Sequence, residues 1–314
     1  MSRTGLWLLL AMPLLAGDTL YELSGRLAPP EHALVSLFGA TQPFEANTEI
    51  DGGGRYRFRH LRAGTYTIAV FVPGRGEARE TVEVGRGTAD SHRRVQCDLA
   101  FHDSDFVRND AIRRRNTVST RQLAIPGSAL RDYQDAAKDL EKHRVESATR
   151  RLEHAVALAP QFADAWNTLG TIAYQTQQYD RAEKCFRTAL EQDPKAYEPL
   201  VNLGGVLINT HKLGDALIYN QDAVLVRPND ALANSQLGLT YFYVGNFDLA
   251  VKYLEIARRI DPSHFSHPQL VLAEIYLRRG ERRAAADVLE DFIQHHPDYS
   301  TAAKIRENIV KLRQ

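Results

Sequence analysis

Residues Ala163–Ala196 read ADAWNTLGTIAYQTQQYDRAEKCFRTALEQDPKA, and this stretch decides the fold. Trp166, Leu169, Ala173 and Tyr174 recur at helical spacing, which gives a first helix one apolar face. Phe186, Ala189 and Leu190 form the stripe of a second helix, and Gly170 and Ala182 are small where the two must cross closely. Asp193-Pro194 ends the second helix, because proline lacks the N–H and disfavours helix in the residue before it. The pattern then repeats in both directions. Pro160, Pro194, Pro228 and Pro262 stand 34 residues apart and Pro297 follows after 35. Ala148, Ala182, Ala216, Ala250 and Ala285 keep the same beat. A fixed period of this length predicts stacked helical hairpins, since neither helix of a unit can bury its stripe alone.

With Trp166, Leu169, Gly170, Ala182, Phe186, Ala189 and Pro194 in their slots, the stretch closely resembles the tetratricopeptide repeat (TPR) family. The next unit matches through Leu200, Leu203, Gly204, Leu207, Ala216, Ala223 and Pro228, but carries Asn220 where the family has a large apolar residue. A third matches through Leu237, Gly238, Tyr241, Ala250, Leu254, Ala257 and Pro262. Weaker units flank these. The first holds Asp132, Asp135 and Asp139 at usually apolar slots, which suits an exposed terminal unit; the last keeps Leu272, Ala273, Tyr276, Ala285, Leu289 and Phe292. Five units over 129–300 and a polar capping helix over 301–314 are expected, with Ala303, Ile305, Ile309 and Leu312 turned inward.

The resemblance implies that the first helix of each unit lines a concave, peptide-binding surface. The slots in question hold Asn167, Thr171, Tyr174 and Gln175, then Asn202, Gly205, Ile208 and Asn209, then Ser235, Gln236, Leu239, Phe242 and Tyr243, with Glu274 and Arg278 in the last unit. These slots read as neutral, amide-rich and aromatic, which predicts an extended neutral or apolar segment as ligand, bound with weak salt dependence.

Over residues 20–101 the period changes to two. Tyr21, Leu23 and Leu27, then Ala33, Val35 and Leu37, Tyr56 and Phe58, Tyr66 to Val72, Val82 and Val84, and Val95, Cys97 and Leu99 alternate between turn signals such as Pro73-Gly74. Short strands at this spacing suggest a β-sandwich. Ile50 to Phe58 (IDGGGRYRF) and Leu61 to Ile68 (LRAGTYTI) resemble the carboxypeptidase regulatory-like, transthyretin-like family, with Ala63 in place of its usual proline. The expected chain is thus multidomain β + α, a seven-stranded transthyretin-like β-sandwich followed by a TPR solenoid.

Residues 1–17 (MSRTGLWLLLAMPLLAG) have a positive charge, an apolar run and small residues in the order of a secretory signal peptide. Cleavage near Gly17 or Asp18 and an extracytoplasmic, periplasmic or secreted location are expected. Residues 102–128, with Arg113-Arg114-Arg115, read as a linker. With 39 basic and 39 acidic residues, nothing suggests nucleic acid as partner, and no segment suggests stable membrane insertion. Cys97 and Cys185 exclude a disulfide framework, and Cys97 reads as a buried strand residue.

No phosphate loop, nucleophile elbow or H-E-x-x-H is present, so no enzyme, catalytic residue or cofactor is expected. His143 and Glu146 form H-x-x-E between two repeat helices; His264, His267, His295 and His296 gather at one end of the last hairpin. Both read as loop positions rather than metal sites. Two functions fit. One is a non-catalytic scaffold or adaptor binding a protein or extended peptide in the groove. The other is an accessory carbohydrate- or peptide-binding module, with the sandwich as binding part and the repeats for oligomerisation. The two parts have different cores and are expected to unfold separately.

Overall fold

Eleven helices among the described residues occupy the stretch where the 34-residue beat runs. The structure is a computed structural model that describes residues 19–30, 32–50, 53–106 and 124–314. The signal-peptide residues, Asp51-Gly52 and Arg113-Arg114-Arg115 lie outside them. The helices form five hairpins and a cap: α1 (Gly127–Glu141) with α2 (Val145–Leu158), α3 (Ala163–Gln175) with α4 (Tyr179–Gln192), α5 (Tyr197–Asn209) with α6 (Leu213–Val226), α7 (Ala231–Tyr243) with α8 (Phe247–Ile260), α9 (Pro268–Arg278) with α10 (Arg282–His295), and α11 (Ala302–Arg313). Leu152, Phe186, Leu203, Leu237 and Phe292 are fully buried between them.

The hairpin turns share a feature that the sequence pattern does not announce. His143, Gln177, His211, Gly245 and Gly280 all have left-handed backbone, at φ of 55°, 61°, 57°, 82° and 75°. The next residue's N–H then reaches back to close the helix, as Arg144 N to Asp139 O at 2.8 Å and Lys212 N to Leu207 O at 2.9 Å. Glycine marks only the last two turns; histidine and glutamine hold the same geometry in the others.

Asn220 is fully buried, and its fit is decided by Gly204. A Cβ on Gly204 would stand 1.9 Å from Asn220 Oδ1, just as one on Gly170 would meet Phe186 at 2.6 Å and one on Gly238 would meet Leu254 at 2.7 Å. Asn220 Nδ2 donates to Thr240 Oγ1 at 2.9 Å, while Oδ1 has no partner among the described residues. Restoring the apolar residue should therefore help. Asn220→Leu is expected to raise stability by about 1 kcal/mol, since Thr240 Oγ1 still donates to Gln236 O at 2.8 Å. A lower urea midpoint for the variant would refute this.

Two expectations for the ends need correction. Asp139 is not exposed: it is 3% exposed, bound by Arg144 Nη2 at 2.6 Å, Ser147 Oγ at 2.7 Å and Arg151 Nε at 3.0 Å. The Ser147 hydroxyl, against the cost of burial and with Arg151 and Arg144, holds its carboxyl below the usual range. In α11 it is Ala302, not Ala303, that turns inward with Ile309.

The N-terminal region is β-rich, in two sheets over one core. Its strands are β1 (Tyr21–Ala28), β2 (Leu34–Gly39), β3 (Glu45–Glu49), β4 (Arg55–Leu61), β5 (Gly64–Val72), β6 (Gly76–Val84), β7 (Arg94–Gln96) and β8 (Leu99–Ala100). One sheet runs β4-β1-β7 with β8 also on β1; the other runs β3-β2-β5-β6. Leu23, Val35, Leu37, Tyr66, Ile68 and Val70 meet between them at 0% exposure. Among the described residues there are eight strands rather than seven, because the last one breaks at Cys97-Asp98. Asp98 Oδ1 accepts the Arg26 N–H at 2.9 Å and so takes a ladder position with a side chain. Cys97 sits in this break, only partly buried, and its thiol is free, as is that of Cys185. The opposing residue is Gly25, where a Cβ would fall 1.6 Å from Cys97 O.

Candidate functional site

The outward face of β3-β2-β5-β6 is not turned to water but into the helices. Strand alternation puts Ser36, Thr67, Arg79 and Thr81 on this face, while Val35, Leu37, Ile68 and Val82 point to the core. β6 is an edge strand, and Asp261, just after α8, accepts the Thr81 N–H at 3.1 Å. That covers a backbone donor which an open edge would expose. At the other end, Gln175 Nε2 donates to Gly39 O at 2.8 Å, and the His143 ring lies 5.3 Å from that of Phe44 with Nε2 at 2.9 Å from His60 O. The histidine of the H-x-x-E pair therefore packs against the β region.

A buried ion network ties the middle. Arg227, 4% exposed, follows α6 and donates to Glu77 Oε1 at 3.0 Å and Glu198 Oε1 at 3.1 Å. Arg79 on β6 donates to the same two oxygens at 2.7 and 3.1 Å. The Arg227 guanidinium also stacks 4.1 Å above the Tyr197 ring.

Between sheet and helices remains a cavity of about 1120 Å³. Asn167, Thr171, Tyr174, Gln175, Asn202 and Gln236 line its helical wall; Ser36, Asn47 and Thr67 line the opposite one. Asn202 Nδ2 donates to Asn167 Oδ1 at 3.2 Å and to Thr171 Oγ1 at 3.4 Å, so these three form one amide–hydroxyl patch. The other expected groove residues separate from it. Asn209 Nδ2 donates to Tyr174 Oη at 2.9 Å, and Ser235 is buried against Ser266 Oγ at 2.6 Å. Leu239 packs into the helical core. Phe242 and Tyr243 form an aromatic shelf with their rings 5.6 Å apart, Tyr243 being 45% exposed and Arg278 lying 5.1 Å over Phe242.

The expected slots that line the cavity are themselves uncharged; the charged groups come from outside them. Carboxylates from the strands and the inter-repeat loops join the amides of the helices. Burial, partly offset by a hydrogen bond from Asn47, raises the Glu45 carboxyl, and the charge of Asp164 adds to the rise. Burial and then Asp261 push Glu80 up to about 7. Helix slots alone carry no trace of this; the only signal was polar residues at alternate strand positions, which solvent explains equally well.

Of the four histidines of the last hairpin, His264 and His296 are buried and His267 and His295 half-buried. His264 is 5% and His296 7% exposed. The His267 and His296 rings meet edge-on at 4.6 Å, against Phe292 and Tyr299. Among the described residues no three His, Cys, Asp or Glu side chains stand where they could hold a metal, and no helix is long and apolar enough to cross a membrane.

Comparison with known proteins agrees with the helical architecture. Residues 133–294, more than half of the chain, match the family profile "Cilia and flagella-associated protein 70 middle TPR-like domain". The human cell division cycle protein 16 homolog is 31% identical over 176 residues, which are 52% of this chain and 28% of that protein. The Saccharomyces cerevisiae anaphase-promoting complex subunit CDC16 is 29% identical over 167 residues, 51% of this chain and 20% of that protein. The chain thus spans less than a third of the length of these relatives. Among solved structures, PilW, a widely conserved type IV pilus biogenesis factor, superposes with a TM-score of 0.53 at 21% identity, over 60% of this chain and 87% of that one. MamA from Desulfovibrio magneticus RS-1 gives 0.50 at 20% identity, over 56% and 99%. At these identities the likeness concerns the fold.

Proposed function

The chain belongs to the family of the cilia and flagella-associated protein 70 middle TPR-like domain, and on that premise we propose that it is a non-catalytic, extracytoplasmic scaffold that binds a protein or an extended peptide in its concave groove. TPR proteins mediate protein–protein interaction, and the helical region has that architecture. In this reading residues 20–101 are a transthyretin-like sandwich of the carboxypeptidase regulatory kind, 129–300 are five repeats, and 301–314 are the cap. The extracytoplasmic setting rests on the signal-like sequence of residues 1–17.

The observation that carries the reading is the cavity, whose helical wall is the Asn167–Thr171–Asn202 patch. Amide side chains offer both a donor and an acceptor to an extended backbone. The aromatic shelf at Phe242 and Tyr243 supplies apolar contact farther along the same row of helices. The alternative, with the sheet as the binding part, has less support, because its outward face is already occupied by the chain's own helices. Combined Asn202→Ala, Asn209→Ala and Tyr243→Ala substitutions are expected to weaken partner capture about tenfold or more while the circular dichroism spectrum stays helical. Full capture by the folded triple variant would end the proposal.

A further inference from the structure

The sheet that faces away from the helices is basic on its outer side. β4-β1-β7 buries Leu23, Tyr56, Phe58 and Val95 in the core and turns the alternate residues outward. Register sets Arg57 beside Ser24 and Arg55 beside Arg26 across β4 and β1, and Arg94 beside Glu22 across β1 and β7. Arg26, Arg57, Arg59 and Arg94 are exposed on this face. Arg55 stands there too but has a partner of its own. The acids are fewer and already engaged. Glu22 lies 3.5 Å from both Arg57 Nε and Arg59 Nε, and Asp98 Oδ1 accepts from Arg26 N and Gln96 Nε2 at 2.9 and 2.6 Å. The Arg57 and Arg59 side chains stay 54% and 61% exposed while that of Glu22 is 23% exposed, so both guanidiniums remain within reach from solvent. The chain has 39 residues of each sign, so the basic excess is local.

The face is charged without being apolar, and that decides what it fits. The outward positions of β4, β1 and β7 hold no large apolar side chain; Ser24 and Gln96 fill the middle. A protein partner is met instead by an apolar, aromatic-rich centre depleted of charge. Nor does the face offer aromatic rings on which bases stack, or a helix to enter a groove. Guanidiniums about 7 Å apart along a strand and about 10 Å apart across two are spread too widely for a single small anion. They match an array of phosphates lying in one plane, each taken by the fork of an arginine.

We propose that the outer face of β4-β1-β7 binds the surface of a bilayer containing anionic phospholipids, through Arg26, Arg57, Arg59 and Arg94. No segment inserts; the attraction is electrostatic, and each arginine close to the surface adds to it. The second sheet and the helices docked on it lie on the far side, so the adsorbed chain holds its solenoid and its groove away from the lipid. The proposal concerns a different surface from the groove and stands whether or not the groove takes a peptide.

Sedimentation of the full chain with vesicles tests this, using phosphatidylcholine with and without about one-third phosphatidylglycerol. Partitioning is expected to be about tenfold stronger on the anionic vesicles, and to fall about tenfold between roughly 50 and 300 mM NaCl. Arg57→Gln with Arg59→Gln should weaken it about tenfold, and so should Arg26→Gln with Arg94→Gln on the other two strands. Arg57→Lys with Arg59→Lys should keep most of the binding, because the charge remains. Arg150→Gln with Lys184→Gln removes the same charge from exposed positions on α2 and α4, and should change partitioning less than about twofold. Equal partitioning on both kinds of vesicle overturns the inference. So does undiminished binding by both folded face variants. An equal loss from the Arg150 and Lys184 pair overturns it too, since net charge would then be the cause. A chain that ignores the vesicles but binds a DNA duplex or a glutamate–alanine peptide through these arginines also refutes it, because the face would then belong to another anion.

Discussion

Replacing His267 and His296 together with glutamine is expected to make the chain about 4 kcal/mol less sensitive to acidification from roughly pH 7.5 to pH 5. Burial, with the neighbouring His296 and His264, pushes His267 down to about 3. Burial, with His295, pushes His296 down to about 4. Neither His267 Nδ1 nor His296 Nε2 has a hydrogen-bond partner among the described residues, and the groups that favour a proton, the His264 backbone at His267 and Asp291 at His296, are outweighed by burial. In the unfolded chain both titrate near the ordinary histidine value of about 6.5. The unfolded state therefore binds more protons, and stability is lost as pH falls below that value. The loss grows by about 1.4 kcal/mol per pH unit for each histidine until its folded value is reached, which is about 2 kcal/mol each at pH 5. The comparison must be between wild type and variant. Glu80, pushed up to about 7, works the other way and recovers stability as pH falls. Urea midpoints at the two pH values would measure the difference. An acid limb identical in both proteins would show that the two rings are solvated in the folded state.

Arg227→Ala is expected to cost about 3 kcal/mol, toward the lower end of what removing one partner of a buried ion pair costs. Its guanidinium is buried over Tyr197 and holds Glu77 and Glu198, one from each structural region. The cost is not larger because Arg79 still reaches both carboxylates. The same substitution in a Glu77→Gln background should cost distinctly less, since one stranded charge is gone. This pair of measurements also bears on cooperativity. Separate unfolding was expected from two cores joined by a polar stretch. The network, the Thr81–Asp261 bond and the Gln175–Gly39 bond instead couple the β region to the second, third and fourth repeats; His143 against His60 and Phe44 adds the first, and Asp298 of the fifth lies close enough to Gly87 that a Cβ there would fall 1.8 Å from its Oδ2. A loss below about 1 kcal/mol for Arg227→Ala would mean that the sheet leaves the helices in solution.

Much of the candidate site was legible as positions and little of it as chemistry. Asn167, Thr171, Gln175 and Asn202 do line one wall together, because the 34-residue period places equivalent slots of successive hairpins side by side. Tyr174, Asn209 and Ser235 satisfy one another or their neighbours, which no slot assignment reveals. The second wall was invisible from the repeats, being contributed by strands of the N-terminal β region far earlier in the chain.

What the amino-acid sequence determined by itself is periodic. Small Gly170, Gly204 and Gly238 facing Phe186, Asn220 and Leu254 specify the hairpin crossing, and the alternation of Tyr66, Ile68 and Val70 specifies a strand with one buried face. Burial of apolar surface drives both, and it leaves a local pattern. What only the tertiary structure decided is where the polar faces go. Ser36, Thr67, Arg79 and Thr81 would read the same against water as against another part of the chain, because a hydrogen bond to solvent and one to protein differ little in net free energy. The docking of sheet on solenoid, the acidity of the groove and the burial of Arg227 all follow from that choice, made by a few long-range bonds whose partners carry no common period.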